Sequence, residues 1–324
     1  MAIVANTFTK YSAVGIRENL SDLIAQISPE STPFQSSIRR DPITQTFTEW
    51  MTDSLAAADV TNAVIDGDDI SSYQATPATL RLGNYTQISR KTAVLADNLQ
   101  VIDSAGGANR MSYVVAQRGA ELKRDIESII LNNQAAVAGN NTTARKTAGL
   151  PAFIRTNSSR GTGGADPTVS GGVVNAAATD ASTANRRAFT ESMLKTVAQE
   201  IYTAGGKPKV LMMGPHNTSV AAGFAGIAAQ RYQAPANKPT TIQGAASVYL
   251  SQWGEITFVT NLFQRERDAF ILDHDYCALA VLRPIKAVTM AKTGDASKKM
   301  LLSEYALKVD NDAAIGVVAD LTAA

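Results

Sequence analysis

The feature that most constrains the fold of this 324-residue chain is one amphipathic stretch, from about residue 107 to residue 139, that predicts a single long helix. At 1.5 Å per residue such a helix runs about 45–50 Å, which is longer than most helices of globular domains and unusual for a compact enzyme core. Its apolar residues recur at i, i+3, i+4 and i+7 spacing and form one stripe: Met111, Val114, Val115, Leu122, Ile126, Ile129, Ile130 and Val137.

Two segments rich in Thr, Ile, Tyr and Phe precede this helix, at residues 43–51 and 80–95, and their composition predicts strands. Neither face of the first strand is purely apolar: Phe47 and Met51 alternate onto one face with Glu49, while Trp50 lies on the other face with threonines. We therefore expect an extended hairpin whose two faces meet other surfaces. The first forty residues predict an arm with one short helix, at residues 18–27.

The second half of the chain predicts an α+β unit. Residues 156–187 are small and polar, which predicts a surface loop or ordered excursion with little capacity to bury apolar area. After it come a helix from Thr190 to Tyr202, a buried strand at 210–213 and an Ala-rich helix near 218–230. Strand-like segments then follow at 256–260, 269–273, 277–283, 286–292, 299–309 and 314–318.

The charges are segregated along the chain, although they sum to +1. Residues 41–103 contain nine acidic and three basic residues, a net −6, whereas residues 140–189 contain six basic and two acidic residues, a net +4. A near-neutral total gives no broad electrostatic attraction to nucleic acid or to an anionic membrane. No segment has the length and apolar character of a secretion signal or a membrane span.

The sequence predicts no catalytic, cofactor or metal site. One cysteine and two histidines cannot build a disulfide or an ordinary zinc site. Glycines at 161–164 and 205–206 lack the spacing of a phosphate-binding loop, and residues 66–69 lack the ligand spacing of an EF-hand. Asp273-His274-Asp275 is predicted to be a turn, and its two carboxylates are the only candidate residues for an enzymatic function.

The order of these elements, together with five short motifs, resembles the major capsid proteins of tailed bacteriophages with the Hong Kong 97 type of fold. The motifs are residues 32–38 (TPFQSSI), 46–55 (TFTEWMTDSL), 67–69 (GDD), 81–88 (RLGNYTQI) and 121–127 (ELKRDIE). The close match covers about residues 28–135, and beyond it the resemblance rests on element order.

This resemblance implies a domain organisation. It makes residues 1–40 an N-terminal arm, 41–103 an extended hairpin loop, 104–189 the spine helix and peripheral domain with a small polar insertion, and 190–270 an axial domain. Residues 271–324 would be closing strands shared by the peripheral and axial domains.

The resemblance also implies a structural function without catalysis or cofactors. Copies of the chain would form pentamers and hexamers of an icosahedral shell around double-stranded DNA, assembled in the bacterial cytoplasm and present in the virion. Scaffolding, portal and decoration proteins are the further partners that it implies, contact with DNA would be non-specific, and no membrane is involved. The alternatives are a decoration or tail-tube protein, or an enzyme with an unrecognised site.

We expect the acidic hairpin to dock near basic residues of an adjacent subunit, because complementary charges set register and association rate. The residues predicted for this interface are the acidic set Asp53, Asp59, Asp66, Asp68 and Asp69, and the basic set Arg81, Arg145, Lys146, Arg155 and Arg160. Phe34, Trp50 and Tyr85 are predicted apolar anchors of the same contacts, with ordinary packing inside the chain as the alternative.

Overall fold

The computed structural model describes residues 31–53, 55–67, 69, 73, 78–101, 110–224 and 248–323, and they form an α+β protein. The arm helix predicted at 18–27 lies outside these residues. The helices are α1 (Pro33–Ser37), α2 (Asp97–Val101), α3 (Arg110–Leu131), α4 (Leu150–Phe153), α5 (Glu191–Thr203) and α6 (Pro215–Ala221). The strands are β1 (Arg39–Pro42), β2 (Phe47–Thr52), β3 (Leu80–Tyr85), β4 (Gln87–Ala96), β5 (Ser158–Ser159), β6 (Thr168–Ser170), β7 (Val173–Ala176), β8 (Val210–Met213), β9 (Val248–Ser251), β10 (Gly254–Thr260), β11 (Ala269–Leu272), β12 (Cys277–Thr289), β13 (Ala296–Val309) and β14 (Gly316–Val318).

These strands form three sheets. The long sheet has the order β1-β12-β13-β4, and α3 packs on β4 and β13. The six-stranded sheet has the order β5-β14-β11-β8-β10-β9, with α5 packed against β14. The loop-base sheet, β2-β3-β7-β6, holds the two strands that lead into and out of residues 53–79.

The spine helix ends earlier than the sequence predicts. The 22 residues of α3 that the structure describes, about 33 Å, end at Leu131 although the apolar stripe continues to Val137, and the predicted start at residue 107 lies outside the described residues. Beyond its end the backbone bonds to other elements: Ala136 N–H donates to the carbonyl of Val174, and Val137 N–H donates to that of Lys146. The prediction of a helix to residue 139 was wrong because tertiary partners take the donors that a helix would have used.

Residues 80–95 form two strands in different sheets, which corrects the prediction of one strand. The change of direction comes at Thr86, whose N–H donates to the carbonyl of Thr46 and whose hydroxyl donates to Glu304 Oε1 at 2.8 Å. Asn84 is buried beside it and donates to the carbonyl of Leu307 at 2.7 Å. These buried polar bonds hold β3 and β4 at an angle, so β3 pairs with β2 while β4 pairs with β13.

Two further predictions change in detail. Residues 277–283 and 286–292 form one strand, β12, whose register to β13 is irregular on both sides of Arg283, near Pro284, which has no N–H for the ladder. The Ala-rich helix is seen as α6, which begins earlier, at Pro215, and ends at Ala221. Residues 225–230 of the predicted helix lie outside the described part of the chain.

Residues 156–187 form an ordered excursion, one of the two forms that the sequence predicts, but more of their side chains are buried than it predicts. They contribute β5 to the six-stranded sheet and β6 and β7 to the loop-base sheet. Val174, Ala178 and Ala181 are buried. Small side chains do bury little area each, but they allow the backbone to approach other elements closely. This close approach places the segment inside the structure.

Two clusters of buried side chains stabilise the fold. The larger one lies between α3 and the long sheet and includes Leu122, Ile126 and Tyr305. The smaller one lies between α5 and the six-stranded sheet and includes Ile201 and Ile271. Packing of one helix against one face of a sheet therefore recurs in both halves of the molecule.

Replacing the fully buried Leu122 by Ala should destabilise the unassembled subunit by about 2–5 kcal/mol, because the substitution loses apolar burial and leaves a cavity. Urea unfolding measures this loss. Tyr113→Ala, at a half-exposed position on the same helix, is the matched control and should change the free energy of unfolding by no more than about 0.5 kcal/mol. Equal effects of the two substitutions would contradict this account of the core.

Candidate assembly surfaces

The segment from residue 53 to residue 79 leaves the loop-base sheet with its side chains in solvent. We call it the acidic loop. Every described residue in it is exposed, including Leu55 (100% exposed), Val60 (97%), Ile65 (82%) and Tyr73 (89%). A run of exposed apolar side chains of this length marks a surface that another protein covers.

Few backbone hydrogen bonds join the described residues of the acidic loop to one another. Pairing between β2 and β3 ends at Thr52 and Leu80. Beyond that point, the one backbone–backbone hydrogen bond between described residues of the loop joins Ala63 N–H to the carbonyl of Thr61. Backbone that is little used for hydrogen bonds within the loop is suited to contact with another chain.

The loop is purely anionic, since residues 53–79 contain five aspartates and no lysine or arginine. Asp53, Asp59, Asp66 and Asp69 are exposed, and Asp68 lies outside the described residues. The hydroxyl and the N–H of Thr61 both donate to Asp59, at 2.6 and 2.8 Å, and lower the pKa of that carboxyl. The predicted acidic set is therefore accessible wherever the structure describes it.

The predicted aromatic anchors divide into two groups. Phe34 is fully buried and Trp50 is 9% exposed, with its ring centroid 6.1 Å from that of Phe153, so the chain's own core holds both, as in the alternative that the sequence left open. Tyr85 remains half-buried, with its ring 4.6 Å from that of Phe47. Only Tyr85 keeps surface for a neighbouring molecule.

Three of the predicted basic partners are already paired within the chain. Arg145 lies 2.7 Å from Glu304, Arg155 lies 3.4 Å from Asp312, and Arg160 lies 2.6 Å from Asp166. The local +4 therefore overstates the positive charge that these residues offer to a neighbour. The sequence concealed this, because the acids that pair with Arg145 and Arg155 are more than 150 residues away.

The remaining two predicted basic residues are exposed. Arg81 pairs across β2 and β3 with Glu49, at 3.3 Å, and its side chain keeps most of its surface. Lys146 makes no ion pair with another described residue and is exposed.

A basic and apolar surface that sequence reasoning missed lies on the long sheet, on the face opposite α3. We call it the outer face. Side chains directly opposite each other in antiparallel strands share a face, so the register places Lys286, Leu302 and Arg90 in one row. The next two rows contain Val288, Met300 and Thr92, and then Met290, Lys298 and Val94.

The outer face is accessible, whereas the opposite face of β4 and β13 is largely covered by α3. Arg90, Val94, Lys286 and Val288 are exposed. Ala93, Leu301 and Tyr305, one residue along, are buried on the face that α3 covers. The alternation of Ile88, Arg90, Thr92 and Val94 along β4 was the signal in the sequence for this surface. The surface could not be recognised from β4 alone, because its other cations lie on β12 and β13.

The strand β12 also has an open edge. Its pairing with β1 ends at Val281, and from Arg283 to Thr289 it is exposed. An exposed edge strand offers backbone donors and acceptors to a further strand, and this edge borders the outer face.

A buried carboxylate fixes the start of the described chain to the spine helix. Glu127 on α3 is fully buried and accepts the N–H groups of Phe34 and Gln35, at 2.9 and 2.8 Å, and the amide of Asn261, at 2.7 Å. Burial raises the pKa of Glu127, and these three hydrogen bonds oppose the rise. One side chain thereby joins α1, α3 and the segment after β10.

The two carboxylates that the sequence suggested for an enzymatic site, Asp273 and Asp275, both pair with Lys209. Lys209 Nζ lies 2.9 Å from Asp273 and 2.6 Å from Asp275, and those hydrogen bonds raise the pKa of Lys209. The predicted turn is present as the short 3-10 helix His274–Tyr276. Burial raises the pKa of the Cys277 thiol to about 12, so it stays protonated.

The described part of the chain contains no group of three or more His, Cys, Asp or Glu side chains that could hold a metal ion. Among the described helices, none has the length and apolar character needed to cross a membrane.

Glu127→Ala should destabilise the subunit by about 2–5 kcal/mol, because it leaves the buried N–H groups of Phe34 and Gln35 without acceptors. Thermal or urea unfolding measures the change. Asp125→Ala is the matched control: it removes a partly exposed carboxylate of the same helix, paired with Lys91, and should cost less than about 1 kcal/mol. A Glu127 variant as stable as the control would show that the carboxylate is not needed.

Comparisons with known proteins agree over nearly the whole chain. The model of a family described as SU10 major capsid protein matches residues 3–322. The major capsid protein of Escherichia phage Phieco32 is 26% identical over 338 residues, which cover 96% of each chain.

Solved capsid structures share the fold. The capsid asymmetric unit of cyanophage A-1(L) has a TM-score of 0.67 at 15% identity, covering 97% of this chain and 100% of that one. The capsid of a native GTA particle computed with C5 symmetry has a TM-score of 0.56 at 13% identity, covering 97% and 98%. The predicted fold, α+β of the Hong Kong 97 type, is confirmed.

Proposed function

We propose a mechanism of shell assembly on the premise that this chain belongs to the SU10 major capsid protein family. It is a major capsid protein of a tailed phage. In the proposed mechanism, the acidic loop of each copy lies on the outer face of the long sheet of a neighbouring copy.

The complementarity of these two surfaces carries the proposal. The acidic loop combines exposed apolar side chains with aspartates alone. The outer face combines Val94 and Val288 with the cations Arg90, Lys286 and Lys298. Opposite charges set the register and rate of such an encounter, and burial of the apolar side chains supplies most of the attraction.

The loop is long enough to reach beyond its own subunit. If fully extended, the thirteen residue steps from Asp53 to Asp66 would reach at most about 40 Å. A compact chain of 324 residues has a radius of gyration of about 20 Å. A loop that can reach this far and is exposed at its described residues is suited to a contact between copies.

Contact between a loop and a face is heterologous, so each copy donates one loop and accepts another. Such contacts close into rings when the rotation between copies allows it. We propose pentamers and hexamers of this kind, built in the host cytoplasm into an icosahedral shell that encloses double-stranded DNA in the virion. Scaffolding, portal and decoration proteins are the further partners proposed, and the near-neutral chain would make only non-specific contact with DNA.

The domain assignment stays part of this proposal. Residues 1–40 would be the arm, 41–103 the hairpin loop, 104–189 the spine helix and peripheral domain, and 190–270 the axial domain. Sharing of residues 271–324 between domains is supported by the strand order, since β12 and β13 lie in the long sheet while β11 and β14 lie in the six-stranded sheet.

Reversing Asp66, Asp68 and Asp69 to Lys should leave the subunit folded and reduce shell yield at least tenfold, because the loop would then be repelled by the outer face. Negative-stain microscopy and size-exclusion chromatography measure shell yield, and thermal unfolding measures the fold. The Asp→Asn triple variant is the matched control and should give an intermediate yield. Shells formed normally by the Lys variant would contradict the docking model.

Changing Arg90, Lys286 and Lys298 to Glu should reduce shell yield in the same way, and combining it with the Lys variant of the loop should restore yield in part. Recovery in the double set is expected because the opposite charges are re-formed with their signs exchanged. Lys146→Glu is the control, since it changes an exposed cation that belongs to none of the three rows of the outer face. If Lys146→Glu blocked assembly while the outer-face variant assembled normally, the receiving surface would lie beside residue 146 instead.

A further inference from the structure

We propose that residues 156–187 act as a brace, which fixes the direction in which the acidic loop leaves the subunit and thereby positions the loop for a neighbouring copy. The inference rests on the proposed docking of that loop. It assigns a role in assembly to a segment whose contacts run from the six-stranded sheet to the base of the loop.

One carboxylate gathers both ends of the brace at the six-stranded sheet. Asp320 follows β14 and is fully buried, with a left-handed φ of 60°. It accepts the N–H groups of Gly161, at 3.1 Å, and Ala181, at 2.8 Å, and it pairs with Arg267 at 2.7 Å. Burial alone would raise the pKa of Asp320, but these bonds outweigh it and hold that pKa below its usual value.

A second carboxylate ties the same end of the brace to the same arginines. Asp180 lies 2.6 Å from Arg265 and 3.2 Å from Arg267, and Arg267 also donates to the carbonyl of Ala181 at 2.8 Å. The guanidinium groups lie on the turn between β10 and β11. The brace is therefore attached to the segment between β10 and β11 by charge-assisted hydrogen bonds, which are stronger than neutral ones.

The middle of the brace contacts the end of the spine helix. Asn133 donates to the carbonyl of Ala178 at 2.6 Å and accepts the Ala178 N–H at 3.1 Å. Val174 is almost fully buried in the larger core and accepts the N–H of Ala136. The segment that follows α3 thus holds the β6–β7 hairpin and the residues after it at two points.

The far side of the brace meets the strand that returns from the acidic loop. Gly83 on β3 donates its N–H to the carbonyl of Gly172 at 2.8 Å, and Gly83 lies opposite Val173 in the parallel pairing of β3 and β7. Gly172 has a φ of 82°, and a Cβ there would overlap the carbonyl oxygen of Arg81. The approach of the two strands requires a residue without a side chain at this point.

The geometry gives this contact a large effect on the loop tip. An isolated pair of strands such as β2 and β3 twists and bends easily, whereas β7 and β6 extend it to four strands that the body holds. A rotation of about 10° at the base of a loop of about 40 Å moves its tip by about 7 Å, which is more than the spacing of neighbouring strands. The brace therefore decides which part of a neighbour the loop meets.

Gly172→Asn tests the proposal in the full-length chain, with Gly171→Asn as the matched control. Both glycines have positive φ, a conformation that Asn tolerates better than most residues, but a Cβ at Gly171 meets nothing within 4 Å. Only the Gly172 variant should push β7 away from β3. Hydrogen exchange of residues 81–85 in unassembled subunits measures the contact, and electron microscopy measures the yield and diameter of shells.

We expect Gly172→Asn to speed exchange of the Gly83 N–H by about tenfold or more, to leave exchange in α3 and α5 unchanged, and to reduce the yield of closed shells of the original diameter about tenfold. Gly171→Asn should behave as the unaltered chain. Unchanged exchange at Gly83, or fast exchange with shells of normal yield and diameter, would overturn the proposal.

Asp180→Asn provides a second variant in case Gly172→Asn does not fold. It keeps the shape of a half-exposed side chain and removes the charge that holds Arg265 and Arg267. It should change exchange and shell yield in the same direction, and the same two outcomes would overturn the proposal. Failure of the unaltered chain to form shells would refute the proposed function instead, whatever the exchange at Gly83.

Discussion

The packing of α3 against one face of the long sheet is the interaction on which the rest of the structure depends. It buries Leu122, Ile126 and Tyr305 and leaves the three rows of the outer face, on the other side of β4, β12 and β13, accessible to solvent. A sheet covered by a helix on one side only must keep its other side polar or give it to a partner. Here the outer face is half apolar and carries cations, so the arrangement that stabilises the subunit also prepares a surface for the next copy.

The acidic loop depends on a rigid base in its own subunit. Its described residues gain little stability from the core of their own subunit, because their side chains are exposed and few backbone hydrogen bonds join them to one another. Ordering them on a neighbour costs conformational entropy, which reduces the net affinity. A rigid base limits that cost, since fewer directions remain to be lost. The pairing of β3 with β7, and the bonds of Asp180 and Asp320 behind it, supply such a base.

Much of the architecture was predictable because local patterns carry it. The apolar stripe predicted α3, the Thr-rich segments predicted the strands beside the loop, and the aspartates marked the loop itself. Predictions failed where distant residues decide. The end of α3 depends on Val174 and Lys146, the bend at Thr86 depends on Glu304, and Arg145 is neutralised by that same glutamate. Glu304 itself gave no sign of this in a strand of mixed composition.

The sequence by itself determined the kinds of elements, the anionic and apolar character of residues 53–79, and the resemblance to the capsid family. These properties follow from residue type and short-range spacing, which need no knowledge of neighbours. Only the tertiary structure decided which charges remain available to a neighbouring subunit. Arg145 and Arg155 form ion pairs with acids more than 150 residues away, whereas Arg90 and Lys286 are exposed. The tertiary structure also decided that the small polar residues 156–187 connect the six-stranded sheet to the loop-base sheet. The close approach of the backbone at Gly172 depends on which strand lies beside it in three dimensions, and local composition does not determine that.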